Sequence, residues 1–482
     1  MINSDVKNYV ARQLTEQAKI LRLSAYDRNG QAYLKRYFYY RLDKHARNFL
    51  ELGSEPRWIM VPGLRGVGKT TVLAQLFFAY QKRFNDRILY VSLDDIANKL
   101  NSDLFAVLDA YEEMIGESFS SLKENVLLLV DEVHFDSKWQ AALKSLYDKS
   151  RRVFIISTGS SAIAINSSAD VARRSLVEKI YPLKFTEYIM LADTVTKPSE
   201  IRFPSKLGEQ IAQGLFESEH ANEVHDRLRA LENQVRAYWQ KTDILAIDRY
   251  IKYYSLPSVL PYKNDAAIYT ILNSVVDRIV EKDLPTIQSF STAILAKIPA
   301  LLFLVASSDT RSLAAFAKDL KDIDEKTLIA VFRVLEEAEL LLRVYPFSIS
   351  APRKVRKPSK YLFFAPSIRA ALIHLTDSRA IDVQHKGKLL EDTAGMYLYR
   401  HFSNTIGTSL GYDDAQGGAD FIIDAGGRRI VIETGWNKLD GDQVIQTMQT
   451  VEANYGLLVS SSPVLGQNKN IVTIPFEFFF LL

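Results

Sequence analysis

A glycine-rich stretch with one lysine and one threonine carries the strongest chemical signal in the sequence. Residues 63–70 read Gly-Leu-Arg-Gly-Val-Gly-Lys-Thr and fit the pattern G-x-x-x-x-G-K-[ST] at each fixed position. Glycines let successive backbone N–H groups surround phosphate oxygens, and a helix beginning at the loop directs its positive end to the same oxygens. We assign the phosphate cradle to Gly63, Arg65, Gly66, Val67, Gly68, Lys69, Thr70 and Thr71.

The flanking sequence places this loop between a buried strand and a helix. Apolar residues 58–61 precede the loop, and residues 71–78 follow it with helical spacing. Lys69 is then expected to reach the β- and γ-phosphates of ATP, and the Thr70 hydroxyl to hold Mg²⁺. ATP and Mg²⁺ are therefore the predicted cofactors. The alternative is a glycine-rich turn that fits the pattern by chance, and these flanks disfavour it.

Two carboxylates follow the next long apolar run. Residues 125–130 read Asn-Val-Leu-Leu-Leu-Val, which is typical of a buried parallel strand, and Asp131 and Glu132 come directly after them. Asp131 would contribute to the Mg²⁺ shell. Glu132 would orient and deprotonate the water that attacks the γ-phosphate.

Hydroxyl side chains end another apolar run, residues 152–156. Thr158 is the candidate to hydrogen-bond the γ-phosphate or the attacking water; Ser160, or a plain polar turn, is the alternative. One more buried strand is predicted at residues 87–94. The alternation of strands and helices predicts a parallel α/β sheet that binds its ligand at the carboxyl ends of the strands.

The order of these motifs resembles the AAA+-type prokaryotic ATPases that carry a C-terminal nuclease-like domain. The resemblance runs from the glycine-rich loop through the two carboxylates to Arg174 and residues 181–188, Tyr-Pro-Leu-Lys-Phe-Thr-Glu-Tyr. That family has a Gly-Arg pair ahead of a Pro-Leu-Ser-Phe-x-Glu-Tyr segment. Here Arg173 replaces the glycine and Lys184 replaces the serine.

This resemblance implies that Arg174 is an arginine finger in the site of a neighbouring subunit. A guanidinium there would neutralise charge that develops on the γ-phosphate. The active form would then be a homo-oligomer such as a ring. Arg173 competes for the role, and a surface arginine pair at a helix end is the alternative interpretation.

Composition sets the broad class of protein. The chain has 482 residues, 47% of them hydrophobic, enough for several domains with sizeable cores. A net charge of +3 is too mild to indicate nucleic-acid binding by itself. Cysteine is absent, which excludes disulfides and thiol chemistry. The first residues lack the pattern of an export signal and no apolar run could span a bilayer, so we expect a cytoplasmic protein without membrane contact.

The predicted fold class is α/β, with an AAA+-like P-loop NTPase core of parallel strands followed by a helical lid, a winged helix and an α/β nuclease-like domain. The predicted domains are a helical arm (1–50), the ATPase domain (51–195), the lid or spacer (196–305), the winged helix (306–378) and a degenerate PD-(D/E)xK-type domain (379–482).

A basic hairpin tip is predicted in the winged helix. Residues 351–360 hold five bases, of which Arg353, Lys354, Arg356 and Lys357 are the candidates for contact with DNA phosphates. The preceding helix carries more acids than bases, which disfavours base reading. A purely structural module is the alternative. Residues 35–41 of the arm mix bases with aromatics, which is typical either of single-strand binding or of packing against the arm's own domain.

The C-terminal acids follow from the family resemblance. In a PD-(D/E)xK nuclease, carboxylates matching Glu391, Asp420 and Glu433 gather Mg²⁺, and a lysine two places after the last acid stabilises the attacked phosphate. Position 435 is glycine, although Lys438 is nearby. The loss of that lysine favours a docking or nucleic-acid-binding platform over a nuclease.

The predicted function is Mg-dependent ATP hydrolysis by a motor or switch that acts on DNA through its C-terminal domains. The alternatives are an ATP-controlled, metal-dependent DNA nuclease, a signalling ATPase whose tail binds a protein, and a nucleotide-dependent scaffold.

Overall fold

The computed structural model describes residues 4–85, 87–165, 167–192, 206–308, 310–321, 323–347, 357–375, 383–403 and 405–482. These residues form two compact units. The first comprises Met1–Tyr181 and Lys282–Ser289, and the second comprises Pro182–Glu281 and Phe290–Leu482. The short segment Lys282–Ser289 therefore belongs to the first unit, although the chain on both sides of it belongs to the second.

A five-stranded sheet forms the centre of the first unit. Its strands are β1 (Trp58–Pro62), β2 (Ile88–Ser92), β3 (Val126–Asp131), β4 (Val153–Gly159) and β5 (Leu176–Val177). They lie in the order β2-β3-β4-β1-β5, and each neighbouring pair is parallel. Strand β4 thus separates the strand before the glycine-rich loop from the strand that ends in the two carboxylates. The end of β4 must lie between those two functional segments.

Helices cover this sheet. In the first unit they are Ser4–Ala25, Tyr37–Leu52, Lys69–Tyr80, Leu93–Leu100, Leu104–Ile115, Trp139–Lys149, Ala162–Ile165, Ala169–Ala172 and Leu284–Ile287, with short 3₁₀ turns at Phe119–Ser121 and Val133–Phe135. Local sequence sets several of their ends. Asp103 caps one helix by accepting from the Ala106 N–H, and Gly116 ends the same helix at a left-handed φ of 67°.

The N-terminal helix is part of the first unit's core. Val6 and Val10 are fully buried among residues of the sheet and its covering helices. From the same helix, the Gln17 amide donates to the Ile88 carbonyl at 2.8 Å and accepts from the Tyr90 N–H at 3.0 Å. Strand β2 is an edge strand, so the Gln17 side chain satisfies backbone groups that a further strand would otherwise pair.

The second unit is helical at its start and has a mixed sheet. Its helices are Phe185–Leu191, Leu207–Phe216, Ala221–Arg229, Glu232–Trp239, Ala246–Tyr253, Asp265–Arg278, Thr292–Leu295, Ile298–Ser307, Leu313–Leu320, Glu325–Glu337, Pro366–His374, Val383–Phe402, Asp442–Val451 and Phe476–Phe479, with a 3₁₀ turn at Pro257–Val259. A π-helical turn, Ile279–Asp283, leads out of this unit into the segment that joins the first.

The sheet of the second unit has eight strands. They are β6 (Leu341–Pro346), β7 (Lys360–Phe363), β8 (Thr408–Tyr412), β9 (Phe421–Ala425), β10 (Arg428–Gly435), β11 (Tyr455–Ser460), β12 (Gly466–Asn468) and β13 (Ile471–Pro475). Their order is β12-β13-β11-β10-β9-β8-β6-β7. Strands β8, β9 and β10 form an antiparallel meander, and β11 runs parallel to β10 after a crossover through the helix Asp442–Val451.

A buried ion pair joins three helices and a strand of this unit. The Arg369 guanidinium donates to both oxygens of Asp392 at 2.6 and 2.8 Å, and to the carbonyls of Val305 and Ala306. The Asp392 Oδ1 atom that accepts from Arg369 Nη2 also accepts from the Phe363 N–H at 2.9 Å. Such a pair is tolerated in a core because every charge is matched and hydrogen-bonded.

The structure places the predicted hairpin but not its tip. Strands β6 and β7 are antiparallel and follow the helices Leu313–Leu320 and Glu325–Glu337, as predicted. Arg353, Lys354 and Arg356 lie outside the described residues. Lys357 is described, and its ammonium pairs with Asp414 at 2.6 Å. The predicted boundaries of the five domains stay predictions. Among the described residues, no helix combines the length and the apolar character needed to cross a membrane.

We expect Gln17→Ala to lower the free energy of unfolding by about 2–3 kcal/mol, because the Ile88 carbonyl and the Tyr90 N–H would both lose a buried partner. Urea titration followed by circular dichroism measures the change. Lys19→Ala, on the exposed side of the same helix, is the matched control and should change stability by less than about 0.5 kcal/mol. Equal effects of the two substitutions would contradict the assigned role of Gln17.

Candidate nucleotide site and C-terminal carboxylate cluster

The glycine-rich loop has a conformation that its glycines make possible. Gly66 and Gly68 adopt φ of 87° and 93°, in the left-handed region. A Cβ at Gly63 would lie 2.5 Å from the Ile180 carbonyl oxygen. The Lys69 side chain is buried, and its ammonium donates to the Gly63 carbonyl at 2.9 Å. The cation that is predicted to meet phosphates is therefore held by the loop's own backbone.

Arg36 supports this loop from the N-terminal arm. Its guanidinium is buried and donates to the Val67 carbonyl at 2.8 Å and to the Tyr181 carbonyl at 3.0 Å. Phe38 and Tyr39 beside it are also buried, whereas Tyr37 and Tyr40 are exposed. Part of the basic and aromatic stretch thus packs against its own unit. Sequence reasoning missed the contact of Arg36 with the loop.

Asp131 is the centre of the hydrogen-bond network at the carboxyl ends of the strands. One of its carboxylate oxygens accepts from the Thr70 hydroxyl at 2.6 Å and from the Tyr90 hydroxyl at 3.1 Å. The other accepts from the Thr158 hydroxyl. Burial and the nearby charge of Asp131 raise the pKa of Tyr90, which keeps this phenol a donor. The Thr70 hydroxyl and the Asp131 carboxylate are the hard oxygen donors that Mg²⁺ prefers, so the pair fits the predicted ion.

Glu132 has an uncommon backbone conformation. Its φ and ψ are 55° and 47°, in the left-handed region that non-glycine residues rarely adopt. The Glu132 N–H donates to the Thr158 hydroxyl oxygen at 3.3 Å. Strain of this kind is commonly kept where it positions a functional group. Here it turns the chain out of β3 and into the 3₁₀ turn Val133–Phe135.

Thr158 links the Asp131 carboxylate to the Glu132 backbone. Its hydroxyl donates to Asp131 and accepts from the Glu132 N–H, because the end of β4 lies between β1 and β3. The predicted contact of Thr158 with the γ-phosphate stays a prediction. The Ser160 hydroxyl is buried and has no hydrogen-bond partner among the described residues, while its N–H donates to His134 Nδ1 at 3.3 Å.

Three further side chains surround Glu132 and the loop. His134 Nδ1 lies 3.4 Å from the Glu132 carboxylate, and His134 Nε2 lies 3.8 Å from Asp283 Oδ1. Arg65 donates to both Asp283 oxygens at 2.8 and 3.2 Å. Burial raises the pKa of the Asp283 carboxyl, but His134 and Arg65 lower it by more, so its pKa lies below the ordinary value.

The two candidate arginine fingers differ in their surroundings. Arg174 donates to both carboxylate oxygens of Asp148 at 2.8 and 3.0 Å, and its side chain is 23% exposed. Arg173 is 74% exposed and pairs with Asp170. Arg174 is thus already neutralised within its own chain.

A cluster of carboxylates and lysines lies in the second unit, where the sequence predicted three acids. The Lys360 ammonium pairs with Glu391 and lies 3.4 Å from Asp420 Oδ1. Asp420 also accepts from the Thr434 hydroxyl at 2.8 Å, and its own N–H donates to Glu433 at 3.1 Å. The structure therefore brings the three predicted acids together, with an ammonium between two of them.

Lys438 joins the cluster from the other side. Its ammonium lies 2.5 Å from Glu433 Oε1 and donates to the Gln443 side-chain oxygen. A Cβ at Gly435 would lie 2.6 Å from the Cβ of Lys438. Glycine at position 435 thus leaves the space that the Lys438 side chain occupies.

The charges of this cluster largely cancel. Burial raises the pKa of Glu391 and of Glu433 to about 7, and in Glu433 the charge of Asp420 adds to this effect. Burial lowers the pKa of Lys360, but the charges of Glu391 and Asp420 raise it by more. Lys360 occupies the place between these two acids, and no group of three or more metal-ligating side chains in the described part of the chain is arranged to hold a metal ion. The acids as placed do not fit a divalent metal.

Family models match two parts of this chain, and individual proteins match part or all of it. Residues 55–189 match the family model described as an AAA domain, and residues 244–379 match a domain of unknown function, DUF8612. The uncharacterized protein MJ1637 of Methanocaldococcus jannaschii is 34% identical over all of this chain and 94% of its own length. The chain belongs to the family of that protein. An uncharacterized protein of Haemophilus influenzae is 26% identical over 35% of this chain and 46% of its own length.

Solved structures give weaker likenesses. The Walker-type ATPase PABY2304 of Pyrococcus abyssi covers 73% of this chain and 99% of its own at 12% identity, with a TM-score of 0.40. The RuvB Holliday junction branch migration motor of Thermotoga maritima covers 67% of this chain and 93% of its own at 16% identity, with a TM-score of 0.30. The AAA-domain match confirms the predicted P-loop ATPase core and supports nucleotide binding and ATP hydrolysis. The winged helix and the nuclease-like domain stay predictions.

We expect Lys360→Met to lower the free energy of unfolding by about 3 kcal/mol at pH 8, because Glu391 and Asp420 would be left buried without their cation. The loss should shrink as the pH falls towards 5. A Glu391 pKa raised in the folded state favours folding at low pH and ceases to do so as the pH rises through about 7. Chemical denaturation at both pH values measures this, with the more exposed Lys357→Met as the control.

Proposed function

We propose that this chain is a Mg²⁺-dependent ATPase, an AAA+-type motor or switch. The observation that carries the proposal is the hydrogen bond from Thr70 to Asp131 at 2.6 Å, which joins the end of the glycine-rich loop to the acidic strand. With Glu132 directly after Asp131, one strand end supplies a metal-binding acid and a base. This arrangement suits ATP hydrolysis better than nucleotide binding alone.

The chain's own residues have distinct parts in the proposed reaction. Backbone N–H groups of the loop bind the β- and γ-phosphates, and Lys69 leaves the Gly63 carbonyl to neutralise them. Thr70 and Asp131 would hold the Mg²⁺ that accompanies ATP, and the ion would supply further neutralising charge. Glu132 orients a water and accepts its proton as the water oxygen bonds to the γ-phosphorus. The bond from that phosphorus to the bridging oxygen breaks, releasing ADP and phosphate.

Arg174 is proposed to complete the site of a neighbouring subunit, so the active form is a homo-oligomer. In that assembly the guanidinium would exchange Asp148 for the γ-phosphate of the adjacent chain. The pairing with Asp148 keeps Arg174 in a fixed orientation until then. Arg173, which is more exposed, is the competing residue.

The proposal extends to coupling with DNA. That coupling rests on the basic residues of the hairpin between β6 and β7, with contacts to the backbone rather than to bases. The acidic character of the helix Glu325–Glu337 agrees with that restriction. A signalling ATPase whose C-terminal part binds a protein is the alternative outcome.

We do not propose DNA cleavage. Lys438 does reach Glu433, and Gly435 leaves room for it, so a relocated lysine is present. However, Lys360 lies between Glu391 and Asp420, where a divalent ion would have to bind. The cluster is proposed to stabilise the second unit and to serve as a docking platform.

We expect Glu132→Gln to lower the ATP turnover number by about a hundredfold or more, because the proton acceptor is lost while ATP binding is kept. Phosphate release and binding of a non-hydrolysable analogue measure the two quantities. Glu124→Gln, a solvent-exposed acid just ahead of β3, is the control. Unchanged turnover in Glu132→Gln would remove Glu132 as the base, and ATP binding without turnover in the wild type would leave a nucleotide-dependent scaffold.

The same assay tests DNA coupling. Turnover of the wild type is measured with single-stranded, duplex and branched DNA at low and moderate salt. Stimulation that weakens with salt supports phosphate contact. No response to any DNA would remove this half of the proposal and favour a protein partner.

Mixing two inactive variants tests the position of Arg174. Arg174→Ala and Glu132→Gln should each be slow, yet a mixture should recover part of the wild-type rate, because some sites combine an intact Glu132 with an intact Arg174 from another chain. Turnover of the mixture against each variant alone measures this. No recovery would place both residues in one chain's site or make Arg174 structural.

A further inference from the structure

His134 is a buried histidine whose two nitrogens face different groups. Its side chain is 6% exposed, and Nδ1 accepts the Ser160 N–H at 3.3 Å. Nε2 has no hydrogen-bond partner among the described residues, and it lies 3.8 Å from Asp283 Oδ1. That distance is too long for a hydrogen bond. A buried polar atom without a close partner calls for an explanation, and Asp283 is the group that faces it.

The hydrogen bond from the Ser160 N–H indicates which tautomer the ring holds. Because Nδ1 accepts this hydrogen, the ring proton resides on Nε2 and faces Asp283. The same Nδ1 lies 3.4 Å from the Glu132 carboxylate and has no proton to donate to it. The His134 ring thus restricts the positions open to the Glu132 carboxylate. It donates no hydrogen bond to the carboxylate oxygens, which stay available to accept a proton from water.

Asp283 reaches this place from a distant part of the chain. It is the last residue of the π-helical turn Ile279–Asp283, a kind of irregularity that is frequent at functional sites. Its carboxylate is buried and accepts hydrogen bonds from Nε and Nη2 of Arg65 in the glycine-rich loop. The Asp283 side chain therefore contacts the glycine-rich loop and also faces His134, which lies beside the proposed base Glu132.

We propose that Asp283 is a positioning residue for ATP hydrolysis: it holds the Nε2–H tautomer of His134, and His134 in turn keeps Glu132 oriented and free to accept a proton. This inference rests on the proposed ATPase function. When the nucleotide draws the loop together, the gap between His134 Nε2 and Asp283 closes to a hydrogen bond, since catalytic contacts tighten in the substrate complex.

Loss of the Asp283 charge has a defined chemical consequence. Without an acceptor at Nε2, the ring can turn or carry its proton on Nδ1. An Nδ1–H would donate to Glu132 and occupy the oxygen that accepts the water's proton. The chemical step then slows, while the phosphate loop still binds ATP.

Asp283→Asn tests this, because it keeps the shape of the side chain and removes its charge. We expect kcat to fall about tenfold to a hundredfold, and affinity for a non-hydrolysable ATP analogue to stay within about threefold of the wild type. Glu281→Gln removes the same charge from an exposed residue two positions earlier and is the control. Thermal unfolding verifies that each variant is folded.

A double-mutant cycle separates the two partners of Asp283. His134→Gln should be slow by itself, and adding Asp283→Asn should slow it no further if Asp283 acts through His134. The same fold-loss in both backgrounds would overturn the inference and assign the effect to Arg65. Wild-type kcat in Asp283→Asn, or a loss of affinity alone, would also overturn it. Absence of ATP turnover in the wild type would instead defeat the proposed function itself.

A measurement on the folded wild-type protein tests the tautomer directly, and a variant serves only to assign the signals. Nitrogen-15 NMR of histidine side chains distinguishes the two tautomers, and His134 should carry its proton on Nε2. His134→Gln identifies its signals among the seven histidines. A proton on Nδ1 in the wild type would overturn the inference.

Discussion

The hydrogen bond between Thr70 and Asp131 is the constraint on which the first unit's site depends. It joins two segments that are 61 residues apart in sequence and lie at the ends of non-adjacent strands. The gap between those strands is filled by β4, whose Thr158 binds both Asp131 and the backbone of Glu132. The sheet order therefore contributes to the site, because it places β4, with Thr158 at its end, beside both the strand before the loop and the strand that ends in Asp131.

Sequence reasoning located the groups that lie in short motifs. The glycine-rich loop, the strand ending in Asp131 and the helix–hairpin order of the second unit could all be predicted, because each is encoded within a few adjacent residues. Contacts between distant segments could not. Asp283 and Arg65 are 218 positions apart in the sequence, and no local pattern in the π-helical turn predicts their contact. Arg36 belonged to a stretch with two open interpretations, and only packing shows that its guanidinium supports the loop.

The carboxylate cluster is a second case in which a contact between distant segments could not be predicted. The three acids were predicted to gather, and the structure brings them together. Lys360 was counted with the basic hairpin tip, since its neighbours in sequence are basic. Its position at the start of β7 instead places its ammonium against Glu391 and Asp420. One lysine thus changes the expected chemistry, from a site that attracts a divalent ion to one whose negative charge is already balanced. A match to a sequence motif cannot show that a neighbouring strand supplies Lys360 to the cluster.

The Gln17 side chain has a consequence for how copies of this protein behave towards one another. An uncovered edge strand offers a row of backbone donors and acceptors to any extended chain, including the same strand of a second molecule. By matching both the Ile88 carbonyl and the Tyr90 N–H, the glutamine amide imitates a strand without being able to propagate one. The N-terminal helix thereby protects the edge strand β2 from pairing with another chain. A chain shortened past Ala25 would lose this match and would also uncover the core that Val6 and Val10 join, so it would be expected to associate through β2 and precipitate.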